Sequence, residues 1–206
     1  MDRKAHWEDV YQRKGDLDTS WFQERPDDSL LLIREAGVPI TVPVIDVGGG
    51  TSRLVDGLLA GGFSTITVLD IAGQALERAR ERIGPAAEKV HWLAADVTTW
   101  TPSRRYGLWH DRAVFHFLTE PAERAAYRRN LATGLMPHGI AVMASFALDG
   151  PERCSGLPVM RYSPDSLAAE LGAQFQLLDS RSVEHITPAG RSQRFQYSVF
   201  RYQPAL

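Results

Sequence analysis

The chain has 206 residues, 44% of them apolar and 23% charged, an ordinary globular composition with enough bulk to bury a real core. A formal net charge of −2 gives no ground for a polyanion partner, so nucleic acid is not expected. The longest apolar run, residues 140–148, is far too short for a bilayer, the first ten residues are charged, and Cys154 is the only cysteine, so no internal disulfide can form.

These features together predict a cytoplasmic protein with no membrane partner. The first 40 residues hold two helical segments, one of them "DDSLLLIREAG", and are expected to pack on the core as an extension. "VPVIDV" (42–47) reads as a buried strand, and residues 52–60 as a helix with Leu54, Val55, Leu58 and Leu59 on one face. A β-branched run over 64–70 follows, then an amphipathic helix over 73–84 with Ala75, Leu76, Ala79 and Ile83 inward, stopped by Gly84-Pro85. Strands are predicted over 89–96 and 106–111, a helix over 120–135 capped by Thr119, and a fifth strand over 139–148. This alternation implies a parallel sheet covered on both faces, an α/β fold. Residues 163–172 form a helix with Ser163 as cap, Pro164 at the first position and Gly172 as stop. Two strand-like runs then flank "TPAG" (187–190) and suit an antiparallel hairpin. One domain is expected: a helical lid over 1–40, a binding core over 41–150, and a closing helix and hairpin over 151–206.

The glycines after the first strand, "VIDVGGGTSRL", identify a place where something approaches the backbone closely. A triphosphate loop would need Lys and then Ser or Thr at the helix start, but Thr51, Ser52 and Arg53 follow here. A dinucleotide fingerprint would place its third glycine at Arg53. What remains is Asp46-x-Gly48-x-Gly50, with an acid inside the strand end, which suits a ligand carrying positive charge. Asp70 ends the second strand, where a carboxylate can accept both hydroxyls of a ribose. Asp96 ends the third, placed to accept an adenine amino group, and Ile71 and Val97 can sandwich the ring. A lone acid at a strand end is usually a turn or cap residue. Three in succession point to S-adenosylmethionine (SAM), which bears a sulfonium and an ammonium and no phosphate.

With "VIDVGGGTS", "LDIA", "AADV" and "LWHDRAVFHFL" in this order and spacing over about residues 40–150, the chain resembles class I SAM-dependent methyltransferases. The resemblance implies a doubly wound, Rossmann-like, seven-stranded and mostly parallel sheet ending in an antiparallel hairpin. It also implies SAM as cofactor and S-adenosylhomocysteine (SAH) as product. Ser52, where many members have a third glycine, and the amino-terminal "HWEDVYQRKG…SWF" are similar to lysine methyltransferases of elongation factors and citrate synthase. "WHDRAVFHFL" looks closer to the Asp-Arg-Gly segment of thiopurine-type S-methyltransferases. In such families an aromatic segment folds over the cofactor, so Trp7, Tyr11, Trp21 and Phe22 are lid candidates, Trp21 foremost; packing of the first helix on the core is the plainer use of such rings.

The expected cofactor residues are Trp21, Asp46, Gly48, Gly50, Ser52, Asp70, Ile71, Asp96, Val97 and His110. The end of the fourth strand borders the transferable methyl in this fold, which makes His110, Asp111 and Arg112 the catalytic candidates. An imidazole there can take a proton from the acceptor or merely offer backbone to the methionine moiety. Asp111 and Arg112 are expected to pair with each other, and His116 to pack beneath a helix. Cys154 reads as a small unreactive cysteine on the acceptor side, and His6, His91, His138 and His185 as surface or turn residues. No metal is expected. Three functions stay open: methyl transfer to a small nucleophile such as a thiol or other soft atom, methylation of a protein lysine, and SAM binding without catalysis.

Overall fold

The computed structural model describes residues 2–204. Val44–Val47 (β1) and Ile66–Asp70 (β2) are buried at every position, because helices cover both faces of the sheet where they run. Val90–Ala94 (β3) lies outside β2 and is partly exposed. Tyr106–Arg112 (β4) and Leu135–Phe146 (β5) continue the parallel part on the other side of β1. A short ribbon of Arg153–Cys154 (β6) and Leu157–Pro158 (β7) leads into Phe175–Ile186 (β8) and Ser192–Tyr202 (β9). The sheet has seven strands in the order β3-β2-β1-β4-β5-β9-β8, with β9 inserted antiparallel between β5 and β8. Chain order therefore reverses beside β1, and the crevice at the carboxyl ends of β1 and β4 is where such sheets bind ligands.

Among the described residues six α-helices surround it: Arg3–Arg13 (α1), Asp27–Glu35 (α2), Leu54–Ala60 (α3), Gly73–Ile83 (α4), Pro121–Gly134 (α5) and Pro164–Leu171 (α6). Val44, Val68, Leu108 and Val142 pack with Leu32 and Ile33 of α2 and Leu54 and Leu58 of α3. On the opposite face Ile45, Leu69 and Trp109 meet Tyr127 and Leu131 of α5 and Leu167 and Leu171 of α6. Each such side chain contributes about 1.5–3 kcal/mol on burial. Strand alternation then decides the site: along β4, Leu108 and His110 face one layer while Trp109 and Asp111 face the other.

The structure departs from the sequence expectation in several details. β5 starts at Leu135 instead of 139, since Leu135 already pairs with Tyr106 before a register shift. The residue before α5 is Glu120 without a side-chain cap, so Thr119 does not cap the helix; the carbonyls of Leu118 and Thr119 instead accept from Arg124 Nη1. Leu59 and Ile83 are only half-buried. Ser163 does cap α6, in a reciprocal pair with Ser166, and Thr187 Oγ1 accepts from Arg191 N–H to close the hairpin turn. Among the described residues no helix is long and apolar enough to cross a membrane.

Candidate active site

The loop after β1 turns on Gly48 (φ 69°) and Gly50 (φ 47°), both in the left-handed region where side chains are strained. Space demands glycine as well. A Cβ on Gly48 would lie 1.9 Å from Val114 Cγ2, and one on Gly50 would lie 2.4 Å from the Tyr11 hydroxyl. Ser52, exposed, accepts the Leu54 N–H at 3.1 Å and so ties the loop to α3.

Asp46 is buried at the end of β1. Its Oδ1 accepts from His110 Nδ1 at 2.7 Å, and His110 Nε2 bonds the Ser29 hydroxyl at 2.9 Å. Both imidazole nitrogens are thus committed to holding a carboxylate in place. The other oxygen, Asp46 Oδ2, is buried with no partner, an acceptor waiting for a donor. It lines a small side pocket with Thr19, Gln23, Thr51 and His110.

Asp70 closes β2 with Oδ1 accepting the Ala72 N–H at 2.8 Å. Burial pushes its carboxyl up to about 7, and the charge of Asp46 adds to this, against backbone N–H groups of Ala72, Gly50 and Ile71 that favour the ion. Asp96, half-buried, has Oδ1 held by the N–H and hydroxyl of Thr98 at 2.8 and 2.7 Å. Its Oδ2 faces Arg3 Nη1 at 3.4 Å, and Arg3 also pairs with Glu123. Arg3 was not foreseen: it comes from the far end of the chain.

Helix α1 crosses the crevice. Glu8 accepts the Gly73 N–H at 2.9 Å, anchoring α1 to α4. Trp7 meets Trp21 and Phe117 edge to face at centroid distances of 5.7 and 5.0 Å, and Tyr11 meets Trp21 at 6.1 Å. These rings roof a cavity of about 90 Å³ that reaches from Asp70, Ile71, Asp96 and Val97 to Arg112, Cys154 and Phe195. Phe22 stands apart, its ring under the Arg53 guanidinium.

At the far end of the cavity Arg112 Nε donates to the Tyr197 hydroxyl and Nη1 to the Trp21 carbonyl, both at 3.0 Å, with the guanidinium 4.4 Å from the Phe195 ring centre. Asp111 does not pair with it. Strand alternation sends Asp111 to the opposite face, where it accepts from Val114 and Phe115 N–H and from the Tyr127 hydroxyl at 2.5 Å. Burial raises its carboxyl to about 6 even so. The expectation that Asp111 works at the acceptor is corrected: it pins the turn after β4. His116 is buried beneath Phe146 and Phe117, and burial, then the charge of Arg112, lowers it to about 3, so it is a very weak base. Burial likewise raises the Cys154 thiol, although Ser20, Ser155 and Arg112 oppose it. His185 is not a surface residue. It is buried and donates from Nε2 to the Ser20 carbonyl at 2.8 Å.

Among the described residues no three His, Cys, Asp or Glu side chains converge on a common point. The sequence reading also missed Gln193 and Phe195, which the terminal hairpin brings to the cavity wall.

A family of methyltransferase domains matches residues 44–139, the stretch from β1 into β5. Nodulation protein S of Bradyrhizobium diazoefficiens is 28% identical over 63% of this chain and 60% of its own length. Thiocyanate methyltransferase 1 of Arabidopsis thaliana is 29% identical over 65% of this chain and 57% of its own. The chain therefore spans about three fifths of the curated relatives it matches. The crystal structure of the N-methyltransferase NodS from Bradyrhizobium japonicum WM9 with SAH superposes with a TM-score of 0.72, covering 98% of this chain and 100% of that one. At 17% identity that likeness speaks to the fold.

Proposed function

Because the chain belongs to the class I, seven-strand methyltransferases, we propose that it binds SAM in the crevice of β1, β2 and β3 and transfers the methyl group to a small-molecule nucleophile. One observation carries the reading of the cofactor site. Buried Asp46 Oδ2 has no donor, in a pocket beside the glycine turn, and two further carboxylates end the next two strands. That set suits a ligand with an ammonium, a ribose and an adenine. In this reading Asp46 takes the ammonium, Asp70 the ribose hydroxyls and Asp96 the adenine amino group. Ile71 and Val97 flank the ring.

When bound, SAM supplies a methyl carbon on a sulfonium, an electrophile with a neutral thioether as leaving group. The chain's own residues then have two tasks, alignment and exclusion of water. Ser29 and His110 fix Asp46, and Trp7, Trp21 and Phe117 cover the crevice. His110 serves here as a positioning residue. The small-acceptor reading is supported by the aromatic roof that Trp7, Trp21 and Phe117 form over the cavity. A lysine side chain would call for an acidic mouth, and the acids lining the cavity, Asp70 and Asp96, sit on the cofactor side. The single cysteine agrees with a cytoplasmic setting.

The test is calorimetric titration with SAM, followed by radiolabelled methyl transfer to panels of thiols, amines and purified proteins. Turnover of small molecules with none on protein supports the proposal. SAM binding without transfer to any acceptor would return the chain to a non-catalytic binder, and robust protein methylation alone would assign it to lysine.

A further inference from the structure

Arg3 opens α1, yet its side chain reaches the end of β3. Its Nη1 lies 3.4 Å from Asp96 Oδ2, and its Nη2 pairs closely with Glu123 Oε1 in the first turn of α5. One cation thus bridges two carboxylates from different elements. The three side chains are 25–30% exposed, so the bridge stands at the rim of the cavity. Arg3, Ile71 and Asp96 line the cavity wall there and also the groove outside it, which gives the guanidinium a way to withdraw.

The two halves of the bridge are unequal. Asp96 Oδ1 is taken by the N–H and hydroxyl of Thr98, which leaves Oδ2 as the oxygen for any other donor. The Arg3 contact to that oxygen is long, whereas its contact to Glu123 is close. A guanidinium with several donors loses little by giving up one long contact while the other holds. The helix has no need to move for this exchange. Glu8 holds α1 to the Gly73 N–H, and Trp7 packs on Trp21 and Phe117, so one side chain swings while its helix stays seated.

We propose that Arg3 is a built-in competitor of the cofactor's adenine and sets how strictly the subsite selects it. In the free protein Arg3 fills the place on Asp96 Oδ2, and it passes wholly to Glu123 when a purine amino group arrives. The inference rests on the cofactor reading, in which Asp96 accepts that amino group. Arg3 lowers the affinity for an adenine ligand, because binding breaks its contact with Asp96. It also relaxes the choice between purines. A hypoxanthine ring turns a carbonyl oxygen toward Asp96, which the carboxylate repels. Arg3 left in place donates to both oxygens and softens that repulsion. Without Arg3 the subsite favours an amino group more strongly.

The experiment is calorimetry with SAH and with its inosyl counterpart, in which a carbonyl replaces the purine amino group. It compares wild type, Arg3→Met and Glu123→Gln, with thermal unfolding recorded to show that each is folded. SAH carries no sulfonium, so loss of a nearby cation does not by itself raise its affinity. Arg3→Met should bind SAH about two- to fivefold more tightly than wild type, and the inosyl compound more weakly. Glu123→Gln removes the place to which Arg3 withdraws, and should bind SAH about two- to fivefold more weakly. A bridge that only holds α1 in place would weaken binding in both variants alike. Arg3→Met that binds SAH no better than wild type, an inosyl compound that gains along with SAH, or a silent Glu123→Gln would each overturn the proposal and leave the cofactor reading standing. Wild type that binds no SAH at all would sink both.

Discussion

Replacing Asp70 by Asn should stabilise the free protein and cripple it as a binder. The carboxyl stands at about 7 instead of 3.8, chiefly because it is buried, so ionising it in the folded chain costs on the order of 4 kcal/mol more than in the unfolded one. The sign follows from proton uptake. Between about pH 4 and 7 the folded chain holds a proton at Asp70 that the unfolded chain has released, so stability falls as pH rises through that window and is flat above it. Asn keeps an oxygen for the Ala72 N–H and carries no charge to desolvate. Its gain should therefore be largest at neutral pH and vanish near pH 4, with about 2–4 °C in Tm for each kcal/mol realised. SAM binding should move the opposite way. A bidentate acceptor for two hydroxyls needs the ionised carboxylate, so wild-type affinity should weaken as pH falls through about 7, and the Asn variant should bind about tenfold or more weakly above that pH, with the gap closing below it. Thermal unfolding from pH 4 to 8 and calorimetry with SAM read both halves. A variant that is less stable at neutral pH, or that binds SAM as tightly as wild type, would refute the reasoning.

Trp21→Ala removes the ring that Trp7 and Tyr11 both contact, and should raise the SAM Kd while leaving the far-ultraviolet dichroism intact; wild-type fluorescence should change on SAM addition. His110→Ala strips Asp46 of its donor, and is expected to weaken SAM binding by about 1–3 kcal/mol. Its kcat/KM against pH should keep the wild-type shape, because the imidazole holds a carboxylate and does not act as a base. Tyr127→Phe leaves Asp111 without its hydroxyl donor and Trp109 without its acceptor; unfolding should show a loss of about 1–3 kcal/mol with SAM affinity unchanged.

What the sequence made legible is what local pattern controls. The buried strands announce themselves by apolar runs, the turn by glycines, and the hairpin by "TPAG" between two β-rich stretches. Asp46, Asp70 and Asp96 could be placed because an acid at the carboxyl end of a strand has only one neighbourhood in a parallel sheet. The roles at the end of β4 were harder. Alternation already says that Asp111 and Arg112 point apart, but not which of the two layers opens onto the cavity. Arg3, Gln193 and Phe195 were out of reach because they arrive from the chain's two ends, and only the folded topology brings them to β3 and β4. His185 was misjudged for a similar reason: the Ser20 carbonyl that bonds its ring comes from a segment far away in the sequence.

A crystal structure of the protein with SAH tests the central claim most directly. The account predicts the ligand across the ends of β1, β2 and β3, with its amino group on Asp46 Oδ2, both ribose hydroxyls on Asp70, and adenine between Ile71 and Val97 beside Asp96, where Arg3 must yield Oδ2. SAH bound away from these three carboxylates, or no SAH bound at saturating concentration, would contradict it.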